Sequence, residues 1–157
     1  MGQVVQLLVA PAERAQMQRV EMVRVIAGLG LEGDRYALGL GSFSKYTDKI
    51  RQVSLISLEA IASARIMCRD NGWPEFEIAE TRRNIITSGV ELLQFVGKEF
   101  KVGEVLMRGF GDCTPCEIPA EIAKKPKRFA QVFKGAGGLR AEILSDGYLY
   151  EGDVIRW

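Results

Sequence analysis

Histidine is absent from this chain, and cysteine occurs only three times. Without an imidazole, the thiol is the one strong nucleophile and soft metal ligand available. Charge of one sign is also scarce in excess: Lys+Arg (21) nearly balances Asp+Glu (20). The basic surplus of a nucleic-acid binder is therefore missing. No apolar stretch approaches the roughly 20 residues that span a bilayer. The apolar run Val4, Val5, Leu7, Leu8, Val9 has no basic segment before it and Glu13 soon after, so it does not read as a signal peptide. An odd number of cysteines without repeated spacing argues against a disulfide scaffold and for reduced thiols. These absences predict a cytoplasmic protein with neither nucleic acid nor membrane among its partners.

What is present suits a single domain covering residues 1–157. A hydrophobic fraction of 47% can build a core and argues against disorder. Gln3–Ala10 is a β-branched apolar run that reads as a buried strand, and Arg19–Ile26 reads as a second. From Gly28 to Tyr36, three glycines within six residues predict an irregular loop, which Gly39–Ser42 extends. Arg51–Ile56 reads as a strand. A helix follows, with Ser57 as N-cap, Glu59 in its first turn, and Leu58, Ile61, Ala62, Ile66 and Cys68 on one broad face. Gly72 and Pro74 end it. Short strands are expected at Ile85–Ile86, on both sides of Gly103-Glu104, at Leu139–Leu144, at Tyr148–Tyr150 and at Val154–Trp157. Val90–Val96 fits one or two helical turns, and Glu117–Lys134 fits helix broken by Pro119 and Pro126. Ser145-Asp146-Gly147 carries a hairpin signal. Many short strands, frequent glycine turns and no regular strand–helix alternation predict a mostly β fold, a barrel or sandwich with a few capping helices.

The chemistry concentrates in Gly111-Asp112-Cys113-Thr114-Pro115-Cys116. A Cys-x-x-Cys pair serves as a redox couple, as half of a zinc site, or as the setting of one reactive thiolate. A closed zinc site wants four Cys or His ligands, and only Cys68 remains. A dithiol couple wants a thioredoxin-like context that this element order does not supply. Pro119 and Glu121 predict a helix start just after Cys116, where a thiol ionises more easily. The competing structural reading is a pair of small buried residues.

Three cationic or glycine-rich groups accompany the pair. Arg82-Arg83-Asn84 offers fork-shaped donors for phosphate or carboxylate. If that run is extended, its neighbours point to opposite faces and only one arginine meets a given ligand. Gly33-Asp34-Arg35 places an arginine and backbone N–H groups in a loop suited to an anion. Arg140, after Gly137-Gly138, is a further cation. Each also has a plain structural reading, as a charged edge, a local Asp–Arg pair or an outward strand residue.

In order along the chain stand Gly33-Asp34-Arg35, Arg51-Gln52-Val53-Ser54-Leu55-Ile56 and Arg82-Arg83-Asn84-Ile85. Gly97-Lys98-Glu99-Phe100-Lys101-Val102-Gly103, Cys113-Thr114-Pro115-Cys116, Gly138-Leu139-Arg140-Ala141 and Gly152-Asp153 complete the set. This ordered set resembles the MOSC domain, named for the C-terminal domain of molybdenum-cofactor sulfurases, from about Gly28 to the C-terminus. The resemblance implies a β-rich pseudo-barrel with helical caps and one reactive cysteine, matched by Cys116 after Pro115. It implies sulfur handling and, as in some members, a molybdenum–pterin cofactor held through that cysteine for the reduction of N-hydroxylated compounds. The metal ligand is then Cys116. Gly33, Asp34, Arg35, Arg82, Arg83, Asn84 and Arg140 would form the cofactor-binding set around an anionic phosphate and pterin. Tyr36 stands where family members commonly have histidine. No pyridoxal phosphate of its own is expected, since no desulfurase part accompanies the domain. A partner protein must then supply sulfur to Cys116, or electrons to the cofactor, because no flavin or haem motif is visible. The alternative to a molybdenum oxidoreductase is a non-enzymatic persulfide carrier or cofactor-delivery module.

Overall fold

Consecutive apolar pairs recur in the strands of this protein: Leu7-Leu8, Leu55-Ile56 and Ile85-Ile86. Neighbouring strand residues face opposite sides of a sheet, so each pair needs cover on both faces. The computed structural model, which describes residues 2–46 and 50–157, supplies that cover. Seven strands close into a barrel: β1 (Gly2–Val9), β5 (Val53–Ser57), β6 (Ile85–Ser88), β7 (Glu99–Val102), β8 (Val105–Asp112), β9 (Leu139–Ile143) and β11 (Val154–Arg156). Their order around the barrel is β11-β7-β8-β9-β5-β6-β1, and β1 pairs back onto β11. Closure removes the exposed strand edges that invite aggregation. Leu7, Leu55 and Ile85 join one core cluster with Phe100, Val102, Met107, Leu139 and Ile155. Leu8, Ile56 and Ile86 join a second, built with the helices.

The helices form that outer layer. α1 (Leu58–Asp70) starts where the Ser57 hydroxyl accepts from the Ala60 N–H at 3.0 Å, as its sequence predicts. Its buried stripe is Ile61, Ala64 and Cys68, at helical spacing. Ile66 and Ala62 face outward, so the buried stripe is narrower than the apolar pattern. α2 (Ile118–Ala123) and α3 (Phe129–Val132) are short. Pro119 does not break α2; it occupies the first turn, where no N–H is needed. α1 and a single 3-10 turn (Ile78–Thr81) carry the chain from β5 back to β6, which therefore pair in parallel.

Two expected elements differ. Arg19–Ile26 is not one strand. It divides at Glu21 into β2 (Gln18–Val20), which extends the barrel sheet from β1, and β3 (Met22–Ile26). β3 pairs with β4 (Gly30–Leu31) and β10 (Gly147–Tyr150) in a separate three-stranded sheet, so the glycine loop does contain a two-residue strand. Ser145-Asp146-Gly147 is not a hairpin either, because β9 and β10 belong to different sheets. Its polar side chains accept from backbone far along the chain instead: Ser145 Oγ from the Leu106 N–H of β8 at 2.9 Å, and Asp146 Oδ1 from the Ala27 N–H, in the turn after β3, at 2.7 Å. The same turn residues that close a hairpin here make a corner between sheets. Among the described residues, no helix is long and apolar enough to cross a membrane.

Candidate functional site

The cysteine segment leaves the barrel at the end of β8 and is pinned by a glycine turn. The Cys113 N–H donates to the Gly138 carbonyl at 2.8 Å, while Gly137 packs directly against the Cys113 carbonyl. Only a residue without Cβ tolerates that approach. Cys113 is buried and Cys116 half-buried; neither is in a disulfide. α2 begins two residues after Cys116, as expected. The intervening Glu117 faces elsewhere: its carboxylate accepts from the Phe129 and Ala130 N–H groups at 3.0 and 3.1 Å and caps α3.

Arg82 and Arg83 meet the same cavity, contrary to the extended-run expectation. Arg82 ends the 3-10 turn in the left-handed conformation (φ 60°, ψ 31°), which breaks the alternation of an extended chain. Its Nη1 donates to the Ala15 carbonyl at 2.6 Å. Burial, and then the positive charge of Arg35, push its pKa down to about 10. Arg83 Nε donates to the Gly137 carbonyl at 2.8 Å, so one turn anchors both Arg83 and the cysteine segment. Arg140 Nε donates to the Asp112 carbonyl at 3.1 Å, and its guanidinium lies over the Phe110 ring. Arg140 Nη1 is buried without a hydrogen-bond partner among the described residues.

These groups line a cavity of about 320 Å³, within the size range of small-molecule sites. Five arginines reach it, namely Arg35, Arg51, Arg82, Arg83 and Arg140, against the single carboxylate of Asp112 among the described lining residues. Cys113, Thr114, Pro115 and Cys116 form part of its wall. Arg35 is already neutralised by Asp34 at 3.0 Å and also donates to the Arg82 carbonyl. Asp34 itself is fully buried, accepts from the Ala10 and Tyr36 N–H groups, and does not reach the cavity. Gly33 lies exposed at φ +83°, turning the chain so that Asp34 enters the core. Asn84 borders the cavity, but its amide is committed to the scaffold: Nδ2 donates to the Leu8 carbonyl, and Oδ1 accepts from the Ser54 N–H and hydroxyl. Thus Arg35, Arg82, Arg83, Arg140 and Cys116 come together at the cavity; Asn84 borders it with its amide tied to the scaffold, and Gly33 and Asp34 lie outside it.

Arg51 and Tyr36 were not among the predicted ligand contacts, yet both line the cavity. Arg51 Nη1 donates to the Tyr46 carbonyl, and its guanidinium lies over Phe43. Tyr36 stacks under the Arg35 guanidinium, and burial pushes its phenol pKa up. The available signal for Arg51 was its place two residues before β5, the strand whose Ser54 pairs with Arg140 on β9. Among the described residues, no group of three or more Cys, Asp and Glu is placed to hold a metal ion.

The sequence of the MOSC domain family matches residues 44–156. This chain belongs to the MOSC domain family. The matched span runs from just before β5 through β11 and contains Cys116, both cavity arginines of β6's approach and Arg140. Solved structures agree at the level of fold. The YuaD protein from Bacillus subtilis superposes with a TM-score of 0.77 at 20% identity, over 99% of this chain and 94% of that one. YiiM from Geobacillus stearothermophilus gives 0.72 at 14%, over 99% and 74%. YiiM from Escherichia coli gives 0.64 at 17%, over 98% and 68%. No curated protein matches this MOSC chain.

Proposed function

We propose that this MOSC domain binds an anionic, sulfur-bearing ligand of the molybdenum–pterin class, with the Cys116 thiolate as its attachment. One observation carries the reading: Cys116 shares an arginine-lined cavity with Arg140, whose Nη1 is buried without a hydrogen-bond partner among the described residues. A buried donor without a partner costs about 1–3 kcal/mol, and a phosphate oxygen would remove that cost. The donor set suits the group. Arginine forks match phosphate, and a soft thiolate suits a molybdenum centre. Such a group, when bound, supplies two-electron oxidation–reduction chemistry. Arg83 and Arg140, already aligned by backbone carbonyls, hold the anionic end. Arg82 adds positive charge from the wall. Tyr36, kept protonated by burial, offers a hydroxyl where imidazole is missing. Reduction of N-hydroxylated compounds, with electrons from a partner protein in the cytoplasm, is the reaction class this reading carries.

The test is metal analysis of protein made in a host that synthesises the cofactor. Molybdenum near one per chain, lost in Cys116→Ser, is expected. Molybdenum unchanged by Cys116→Ser would refute the assignment. A second reading, a persulfide carrier loaded by a partner protein, is favoured by a specific observation: Cys113 lines the same cavity as Cys116. Persulfide on Cys116 without molybdenum would select it.

A further inference from the structure

Two thiols on one wall differ in access. Cys116 is half-buried, whereas Cys113 is only 8% exposed. They stand three positions apart around Pro115, in a segment outside any helix or strand. Cys113 faces the cavity's charges: burial pushes its pKa up, and the guanidiniums of Arg83, Arg140 and Arg51 pull against that. An incoming sulfur donor therefore meets Cys116 first, and the buried Cys113 is left for a second step.

Resting on the carrier reading, we infer that Cys113 is a resolving thiol that discharges a persulfide on Cys116 as hydrosulfide inside the cavity. In the loading step the Cys116 thiolate attacks the sulfane sulfur of a low-molecular persulfide. The donor's S–S bond breaks, its thiolate leaves, and Cys116 carries S–SH. In the discharge step Cys113 loses its proton to solvent base, and the resulting thiolate attacks Cys116 Sγ. The Sγ–SH bond breaks, its electron pair leaves with HS⁻, and a Cys113–Cys116 disulfide forms. Two thiols are oxidised by two electrons, and one sulfane sulfur is reduced to sulfide. An external dithiol then reduces the disulfide and resets the pair. The anion is released among guanidiniums, beside whatever electrophilic ligand the cavity holds. This use of Cys113 explains why a second thiol shares the cavity without joining the outer core that takes Cys68.

Glutathione persulfide is the probe. Reduced full-length protein is treated with it, freed of excess, and followed by sulfide trapping and intact and peptide mass analysis. Wild type should release one sulfide per chain and acquire a Cys113–Cys116 disulfide. Cys113→Ser and Cys113→Ala should instead retain one added sulfur on Cys116 and release sulfide only with dithiothreitol. If wild type holds its persulfide as long as these variants do, the inference fails and the carrier reading stands. If no variant carries sulfur on Cys116, the carrier reading fails and takes the inference with it. Two variants guard against misfolding of either one, and Cys68→Ser should behave as wild type.

Discussion

Gly137 packs so closely on Cys113 that a methyl group at its Cα would overlap the Cys113 carbonyl oxygen. The Gly137 carbonyl also holds Arg83, and the next carbonyl, Gly138, holds the Cys113 N–H. Thiols and cation are thus set by one turn. Gly137→Ala should destabilise the fold by about 1–3 kcal/mol, as overpacking does. It should also lower ligand retention, although it touches neither thiol. Denaturant midpoints and metal or persulfide content on the same samples measure both effects. Full stability with full retention would mean the turn does not position the site.

Asp34 and Arg35 are expected to act through folding rather than through ligand contact. Both are buried, and Asp34 also receives two backbone N–H groups. Asp34→Ala leaves the Arg35 charge in the core without its carboxylate, and should cost about 3–5 kcal/mol. Thermal unfolding would show it as a large drop in Tm.

Arg140 should behave in the opposite way. Arg140→Gln removes the unpaired guanidinium N–H and keeps a polar side chain. An anion that it binds should lose about 1.5–3 kcal/mol, roughly tenfold to a hundredfold in affinity. Calorimetric titration with inorganic pyrophosphate is the measurement. Equal affinity in wild type and variant would remove Arg140 from the site.

Stability should fall at alkaline pH, with Cys113 contributing to the slope. Burial raises its pKa above the unfolded value; Asp112 adds to the rise, while Arg83, Arg140 and Arg51 oppose it. The unfolded thiol then loses its proton first, so the folded state binds more protons in that window. The stabilisation is complete below the unfolded thiol pKa and disappears as pH rises through the folded one. Cys68, also raised chiefly by burial, acts in the same direction. Urea titrations across alkaline pH should therefore show a shallower decline for Cys113→Ser than for wild type.

Much of the fold was legible because it is local. Ser57 caps α1, Gly103-Glu104 turns β7 into β8, and alternating Phe100 and Val102 face the core. Ser145-Asp146-Gly147 misled because its side chains bond to backbone groups far along the chain, and turn chemistry does not name its partner. The Arg82-Arg83 pattern misled for a similar reason. A single left-handed residue reversed the facing that an extended run implies.

The sequence by itself determined the chemical vocabulary of this MOSC protein: thiols without imidazole, several arginines, short strands broken by glycine. It also set the family, through motifs whose order survives along the chain. Only the tertiary structure decided their division of labour. Asp34 sits behind the wall and the Asn84 amide is tied to the scaffold, while Arg51 and Tyr36 join the wall, and Cys113 shares the cavity with Cys116. Barrel closure brings β5, β6, β8 and β9 side by side from positions scattered over most of the chain. The charge and burial each side chain meets there come from neighbours distant in sequence, which no local pattern encodes.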